Sequence, residues 1–358
     1  MKKKLFMSVL AMGVVALARF TKKPIFYFSI CLLLLSCSNN SSKTELCDIN
    51  ISGYEDNTMD FASLASKVDT LYFYVGKEFA SVSMIKNIYM TDSLLYVSDF
   101  NNCISLFDIG SGKLLKQLVN IGHASNEYLG IEAIAEMNDT VYILDSNSRK
   151  VLEYDKNLNY LDNVSLSFVP WDFEVTEDGF LFSKMDVAKD DNRFIHTDKK
   201  GTILNADVAA SPIGQELFLC KSLIRHNNDY YLHELMSNDI YRWKEGKMSK
   251  SYTVHFPNIN ENEANGKQSL FIKDYFVTTK HFICSFMYDH KQNYCIYFKE
   301  DGTIKTGSFD INSGRPFSPI FQKGDSLIGI YSTDDIKSLP NWKPQIDDCA
   351  LTLFIYSF

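Results

Sequence analysis

The sequence predicts an all-β fold: a six-bladed β-propeller of four-stranded antiparallel blades, its ring closed by the N- and C-terminal strands. Three observations predict it. Residues 92–115, DSLLYVSDFNNCISLFDIGSGKLL, are echoed by 139–161, DTVYILDSNSRKVLEYDKNLNYL, so that Asp99 returns as Asp145, 46 residues on, and Asp108 as Asp155, 47 on. A period in the forties built from short strands is the signature of a propeller blade. Tyr and Phe together supply 46 of the 358 residues while Pro supplies eight, and no amphipathic helical window stands out. Turn signals such as Asp92-Ser93, Asn138-Asp139, Asp178-Gly179, Asp301-Gly302 and Gly324-Asp325 punctuate the chain roughly every ten residues.

The chain opens with a segment to be set apart from the fold, residues 1–36. Its second half, 19–36, runs from Arg19, Lys22 and Lys23 through the apolar stretch Ile25 to Leu35 and reads as a bacterial secretory signal. Leu34-Leu35-Ser36-Cys37 fits a lipobox, in which the small residue before Cys permits cleavage and the Cys37 sulfur takes the lipid. The apolar run is about half of the roughly 20 residues a membrane-spanning helix needs. Residues 1–18 repeat the basic-then-apolar pattern, which fits a start codon assigned too early. Residues 37–69 then read as lipidated Cys and polar tether, and 70–358 as the propeller. Attachment to the outer membrane follows, on the periplasmic or the cell-surface face; SNNSSK (38–43) carries no acidic cluster, which favours the periplasmic one.

The leader holds six of the 36 basic residues and none of the 44 acidic ones, so the mature chain carries a net charge of −14. Such a chain repels phosphate backbones, and nucleic acid is not among its expected partners. Cys47, Cys103, Cys220, Cys284, Cys295 and Cys349 are scattered, with no metal-ligand spacing. An exported compartment permits disulfides, and Cys284 can face Cys295 across a hairpin. The apolar strands around Cys103, Cys284 and Cys295 favour buried free thiols.

The repeat continues through 170–185 and 194–204, then 223–235 and 239–248, then 275–288 and 294–307, and ends with 320–332 and 350–358. The first apolar strand, Thr70 to Val75, and the last, Leu351 to Tyr356, have no hairpin partner of their own, so the former is expected to complete the last blade and leave no open edge. Asp334 to Asp348 becomes an insertion in that blade.

Residues 86–131, KNIYMTDSLLYVSDFNNCISLFDIGSGKLLKQLVNIGHASNEYLGI, resemble the six-bladed β-propeller lipoproteins of Bacteroidetes, relatives of the NHL-repeat propellers. The resemblance rests on the strand ending at Asp99, the strand Leu106-Phe107-Asp108, the turn Gly110 to Gly112 and the loop Gly122 to Tyr128. It is close over 86–155 and loose over 70–358. In the family that loop usually carries inner glycines, where this chain has His123 to Asn126. The resemblance implies a fold and a compartment, and no particular chemistry.

Several residues are candidates for function. His123, Glu127 and Tyr128, at the junction of the first two blades, form a candidate ligand site, set against a loop that simply braces neighbouring blades. The strand-ending Asp99, Asp108, Asp145 and Asp155 offer carboxylates to a channel, but recurrence at one blade position is the mark of turn capping. His226, His233 and Glu234 flank a strand and lack the second His of a zinc-protease helix. Trp171, Trp243 and Trp342 could stack on sugars, or fill the core. Thr70, Ser93, Thr140 and Ser326 each follow Asp and precede an aliphatic residue, a pattern resembling the O-glycosylation signal of exported Bacteroidetes proteins, set against Asp-Ser and Asp-Thr pairs that simply start hairpin strands. The expected function is a monomeric binding or scaffold module for a protein, peptide or glycan, with no cofactor and the membrane engaged through its lipid. The alternative is a lactonase- or lyase-like enzyme holding calcium or zinc in its channel, which requires several convergent Asp, Glu, Asn or His side chains.

Overall fold

The computed structural model describes residues 46–52, 58–184, 191–209, 222–233, 237–256, 270–288, 291–309, 316–337 and 350–358. The leader, Cys37, Cys220, Glu234, Trp342 and Cys349 lie outside the described residues. Six β-sheets, each built on a four-stranded antiparallel blade, form the fold, as the repeat predicts. The first blade consists of Ile85–Met90, Leu94–Asp99, Ile104–Asp108 and Leu114–Leu118; the second of Ala133–Met137, Thr140–Asp145, Lys150–Asp155 and Tyr160–Ser165. The third is Pro170–Val175, Gly179–Lys184, Asn192–Asp198 and Ile203–Ala209; the fourth Leu223–His226, Asp229–His233, Asp239–Lys244 and Lys247–His255. The fifth is Ile272–Val277, His281–Tyr288, Lys291–Phe298 and Ile304–Phe309. The sixth takes Phe321–Lys323, Ser326–Ser332 and Leu351–Ser357 from the C-terminal end and Lys67–Phe73 from the N-terminal end. That last pair runs antiparallel from Leu351 opposite Phe73 to Ser357 opposite Lys67, so the ring closes as expected.

The first strand of each blade lines the axis. We call the face at which these inner strands begin the upper face, and the face at which they end the lower. Apolar residues fill the wedges between blades. Tyr96, Leu106, Ile143 and Leu152 pack between the first and second, and Phe173, Phe180 and Phe182 between the second and third. Phenols strap neighbours together: Tyr89 donates to Glu136 O (3.1 Å), Tyr230 to Val175 O (2.8 Å) and Tyr275 to Tyr231 O (2.7 Å). A buried phenol needs such an acceptor, which accounts for the high tyrosine content of a fold with so many interblade seams.

The segment read above as tether holds paired and packed chain within residues 46–52 and 58–69. Cys47–Asn50 adds a parallel fifth strand to the outer edge of the fourth blade, from Cys47 opposite Tyr252 to Asn50 opposite His255. Thr58–Met59 does the same to the fifth blade at Ser308 and Phe309. A one-turn helix, Phe61–Leu64, N-capped by the Asp60 carboxylate, then drops Phe61 into the core, where its ring stacks on Phe317 with centroids 3.9 Å apart. This belt was not legible because CDIN and TM are too short to show a period and their partners lie some 200 or more residues away. Among the described residues no helix is long and apolar enough to cross a membrane.

Candidate functional site

The polar residues at the starts and ends of the inner strands place two cavities on the axis. The upper one, about 370 Å³, is lined by Lys86, Asn87, Glu132, Trp171, Asp172, Lys273 and Asp274 with Phe100 and Ile320 at its rim. Phe100 and Ile320 are about half exposed (51% and 43%), large apolar groups offered to solvent beside charges. Two cations stand beside carboxylates: Lys86 Nζ lies 2.9 Å from Glu132 Oε2 and Lys273 Nζ 3.9 Å from Asp274 Oδ2. The lower cavity, about 420 Å³, shares Asp274, Pro319 and Ile320 with the upper one and opens among the ends of the inner strands.

Asp274 occupies a position that is structural elsewhere in the ring. In three blades the inner strand shifts register near its start, just before Asn87, Asp172 and Asp274. Asn87 Nδ2 donates to Glu132 O (2.8 Å), and Asp172 Oδ2 accepts from the amides of Ser222 (2.8 Å) and Leu223 (3.0 Å), each bracing the next blade. In the sixth blade the place matching Ser222 is held by Pro319, which has no N–H to give. Asp274 instead accepts from Ser285 Oγ (3.0 Å) within its own blade, and burial raises its carboxyl above the ordinary aspartate range, against the pull of Lys273.

The candidate loop of the sequence lies on the upper face, outside the channel. Tyr128 is fully buried; its hydroxyl donates to Asn102 O (2.9 Å) and accepts from the Asn120 amide (3.2 Å). Glu127 turns back on its own loop, accepting from the Ala124 amide (2.8 Å) and covering Gly122 so closely that a Cβ there would fall 2.0 Å from Oε2. His123 is exposed, and among the described residues no hydrogen bond joins it to Glu127. Lys150 Nζ donates to Ala124 O (3.1 Å) and Tyr154 to Asn126 O (3.3 Å), fastening the loop to the second blade.

The recurring aspartates cap turns. Asp99 Oδ1 accepts from Asn101 (2.9 Å) and Cys103 (3.0 Å), and Asp145 Oδ1 from Ser148 (3.1 Å). Asp108 takes the Ser111 amide (2.7 Å), and Asp155 those of Asn157 and Asn159 (both 2.9 Å). His226 pairs with Asp325 (2.9 Å) at a lower-face turn, and buried His233 donates to Ser237 O (2.9 Å). Trp243 is core, between the Tyr230 and His196 rings, whereas Trp171 reaches the upper cavity. Cys284 and Cys295 sit directly opposite each other and, with Cys47 and Cys103, are free thiols. Contact with Cys295 and burial together hold the Cys284 thiol well above its usual range. Ser93 is exposed at a lower-face turn; Thr70 and Thr140 are half-buried, and Ser326 Oγ lies 3.0 Å from Ser357 Oγ. Among the described residues no three His, Cys, Asp or Glu side chains lie close enough to hold a metal ion.

Lys86, Glu132, Lys273 and Asp274 were missed in the sequence. They lie in the first strand of a unit or, for Glu132, just before it, and polar residues are as common in third strands such as NRFIHTD (192–198) and DIYRWK (239–244), so nothing in the sequence singles them out.

The chain matches, over residues 54–348, the profile of a family described as a domain of unknown function, DUF4934. No protein curated for its function matches it. Among solved structures it is similar to a Bacteroides fragilis protein classed as exported, at 16% identity and a TM-score of 0.68, covering 88% of this chain and 100% of that one. It is also similar to a DUF4221 family member from Bacteroides vulgatus, at 10% identity and a TM-score of 0.51, covering 82% and 96%. Both likenesses concern the fold.

Proposed function

From the premise that the chain belongs to the DUF4934 family, we propose that it is a binding module for a protein, peptide or glycan, and that its upper mouth fits a glycan best. The observation that carries this reading is the pairing of exposed Phe100 and nearby Trp171 with Lys86, Glu132, Lys273 and Asp274 in one cavity of about 370 Å³. Aromatic faces take the apolar side of a sugar ring, and charged groups take its hydroxyls. The metal-dependent lactonase or lyase reading needs a convergent ligand set for calcium or zinc; at this mouth Glu132 and Asp274 stand beside Lys86 and Lys273, and Asp172 Oδ2 accepts from the Ser222 and Leu223 amides. The proposal includes export and lipidation at Cys37, tethering to the outer membrane, kinship with NHL-like propellers, a monomeric state, and O-glycosylation at Thr70, Ser93, Thr140 or Ser326, for which Ser93 is the best exposed. His123 remains the accessible member of the loop site, beside Glu127 and Tyr128.

A glycan array probed with the mature chain tests the reading. Phe100→Ala and Trp171→Ala are each expected to weaken capture about tenfold, the equivalent of roughly 1.4 kcal/mol. Capture indifferent to both substitutions would move the ligand away from this mouth.

A further inference from the structure

The lower cavity has a simple construction. The last residue but one of every inner strand lines it: Tyr89, Glu136, Glu174, Arg225, Phe276 and Gln322, one per blade in ring order. This ring of six sorts by chemistry. Glu136 and Glu174, on the second and third blades, make an acidic side, with Glu136 Oε1 also accepting from the Asp139 amide (2.8 Å). Arg225, on the fourth, stands next to it. Tyr89 and Phe276, on the first and fifth, add aromatic faces, and Ile224, Ile320 and Phe321 extend the apolar wall. Gln322 is committed to structure, accepting from the Val277 amide (3.0 Å) and donating to Gly324 O (2.8 Å).

Arg225 is the exception to the pairing of charges seen at the upper mouth. Its Nε donates to Asn227 O (3.4 Å) and its guanidinium lies over the Tyr230 ring, 5.9 Å from the centroid. Its two terminal nitrogens meet no hydrogen-bond or ion-pair partner among the described residues. A guanidinium fork in a cavity is suited to a carboxylate, which it can hold through two parallel hydrogen bonds. A pair of glutamates beside it is suited to an ammonium group, and the two signs are held apart on successive blades. At about 420 Å³ the space is at the small end of ligand cavities.

The geometry points to a second binding site at the lower mouth, for a small zwitterion: an apolar amino acid or short peptide. Its carboxylate would sit on Arg225, its ammonium group against Glu136 and Glu174, and its side chain against Tyr89, Phe276 and Ile320. The site does not rest on glycan binding at the upper mouth, since only Asp274, Pro319 and Ile320 belong to both cavities.

The test is calorimetric titration of the mature chain with leucyl-leucine, N-acetyl-leucyl-leucine and leucyl-leucine amide. The free dipeptide is expected to bind, and blocking either end to weaken it at least about tenfold. Arg225→Met should bind the dipeptide and its amide equally weakly, and Glu174→Gln should lose the preference for a free amine; an unchanged melting curve shows that each variant is folded. Phe100→Ala should leave the titration as it was. Equal binding of free and blocked forms, binding indifferent to Arg225→Met, or no heat with millimolar dipeptide would each overturn the site.

Discussion

Asp99 and Asp145 hold equivalent places and do the same two things. One oxygen caps the turn after the strand; the other accepts an amide sixteen residues back, from Ser83 (3.2 Å) and Leu129 (2.8 Å) respectively, on the loop entering the blade. Their recurrence was legible because the same need arises in each blade. The channel residues were not, since whether an inner-strand side chain reaches the axis depends on a register shift that leaves no mark in the sequence. Asp274 shows the consequence. A carboxyl with a raised pKa is ionised at a cost in the folded chain at neutral pH, so Asp274→Asn should raise the melting temperature while weakening ligand capture at the upper mouth. His233 offers a second test. Burial lowers its pKa to about 4, against an ordinary value of 6.5, and outweighs the opposing pull of the hydrogen bond to Ser237 O and of the Asp239 carboxylate. The unfolded chain takes up the proton first as pH falls. His233 therefore leaves stability intact above pH 6.5 and erodes it down to about pH 4, by on the order of 3 kcal/mol in all. Denaturant melts across that window should show the decline, and His233→Gln should flatten it.

At the scale of elements, the belt answers a problem every propeller has: the outermost strand of each blade exposes an unpaired edge. Cys47–Asn50 and Thr58–Met59 cover two such edges, and Lys67–Phe73 is itself the outer strand of the sixth blade. The anchor between them is Phe61, which shares one core cluster with Ile283, Phe317 and Tyr356. Phe61→Ala is expected to cost about 3–5 kcal/mol, the usual range for emptying a buried aromatic site. It should also speed hydrogen exchange at Ser308 and Phe309, where the second belt strand pairs. Unchanged exchange there would mean that the belt holds without its anchor. The blade strands were readable because most of them run five residues or more within a repeating hairpin pattern, Leu223–His226 and Phe321–Lys323 being shorter, and the belt was unreadable because its partners supply its structure.

For the whole molecule, closure is the governing fact. The closing strand continues past Phe73, where the Tyr74 amide donates to Gly112 O (2.8 Å) and the Leu114 amide to Tyr74 O (3.1 Å), so it ties the sixth blade to the first. Gly112 has φ +69° and lies against Tyr72 O, leaving no room for a Cβ at the tightest point of the seam. Gly112→Val should therefore loosen closure and lower the melting temperature far more than the same change at Gly302, which has a similar φ of +75° but nothing near it. Equal losses at the two sites would assign the effect to backbone strain alone.

The closing pair also sets an order of events during synthesis. The strand Lys67–Phe73 of the last sheet is made early, and the strand it must meet, Leu351–Ser357, only after all five other blades. Until then five blades can assemble, but the ring has a gap and the early strand waits without its partner. A chain cut short before Leu351 is thus left open and marked by an exposed apolar edge, which a protease or chaperone can read; only a chain that has made Leu351–Ser357 hides it.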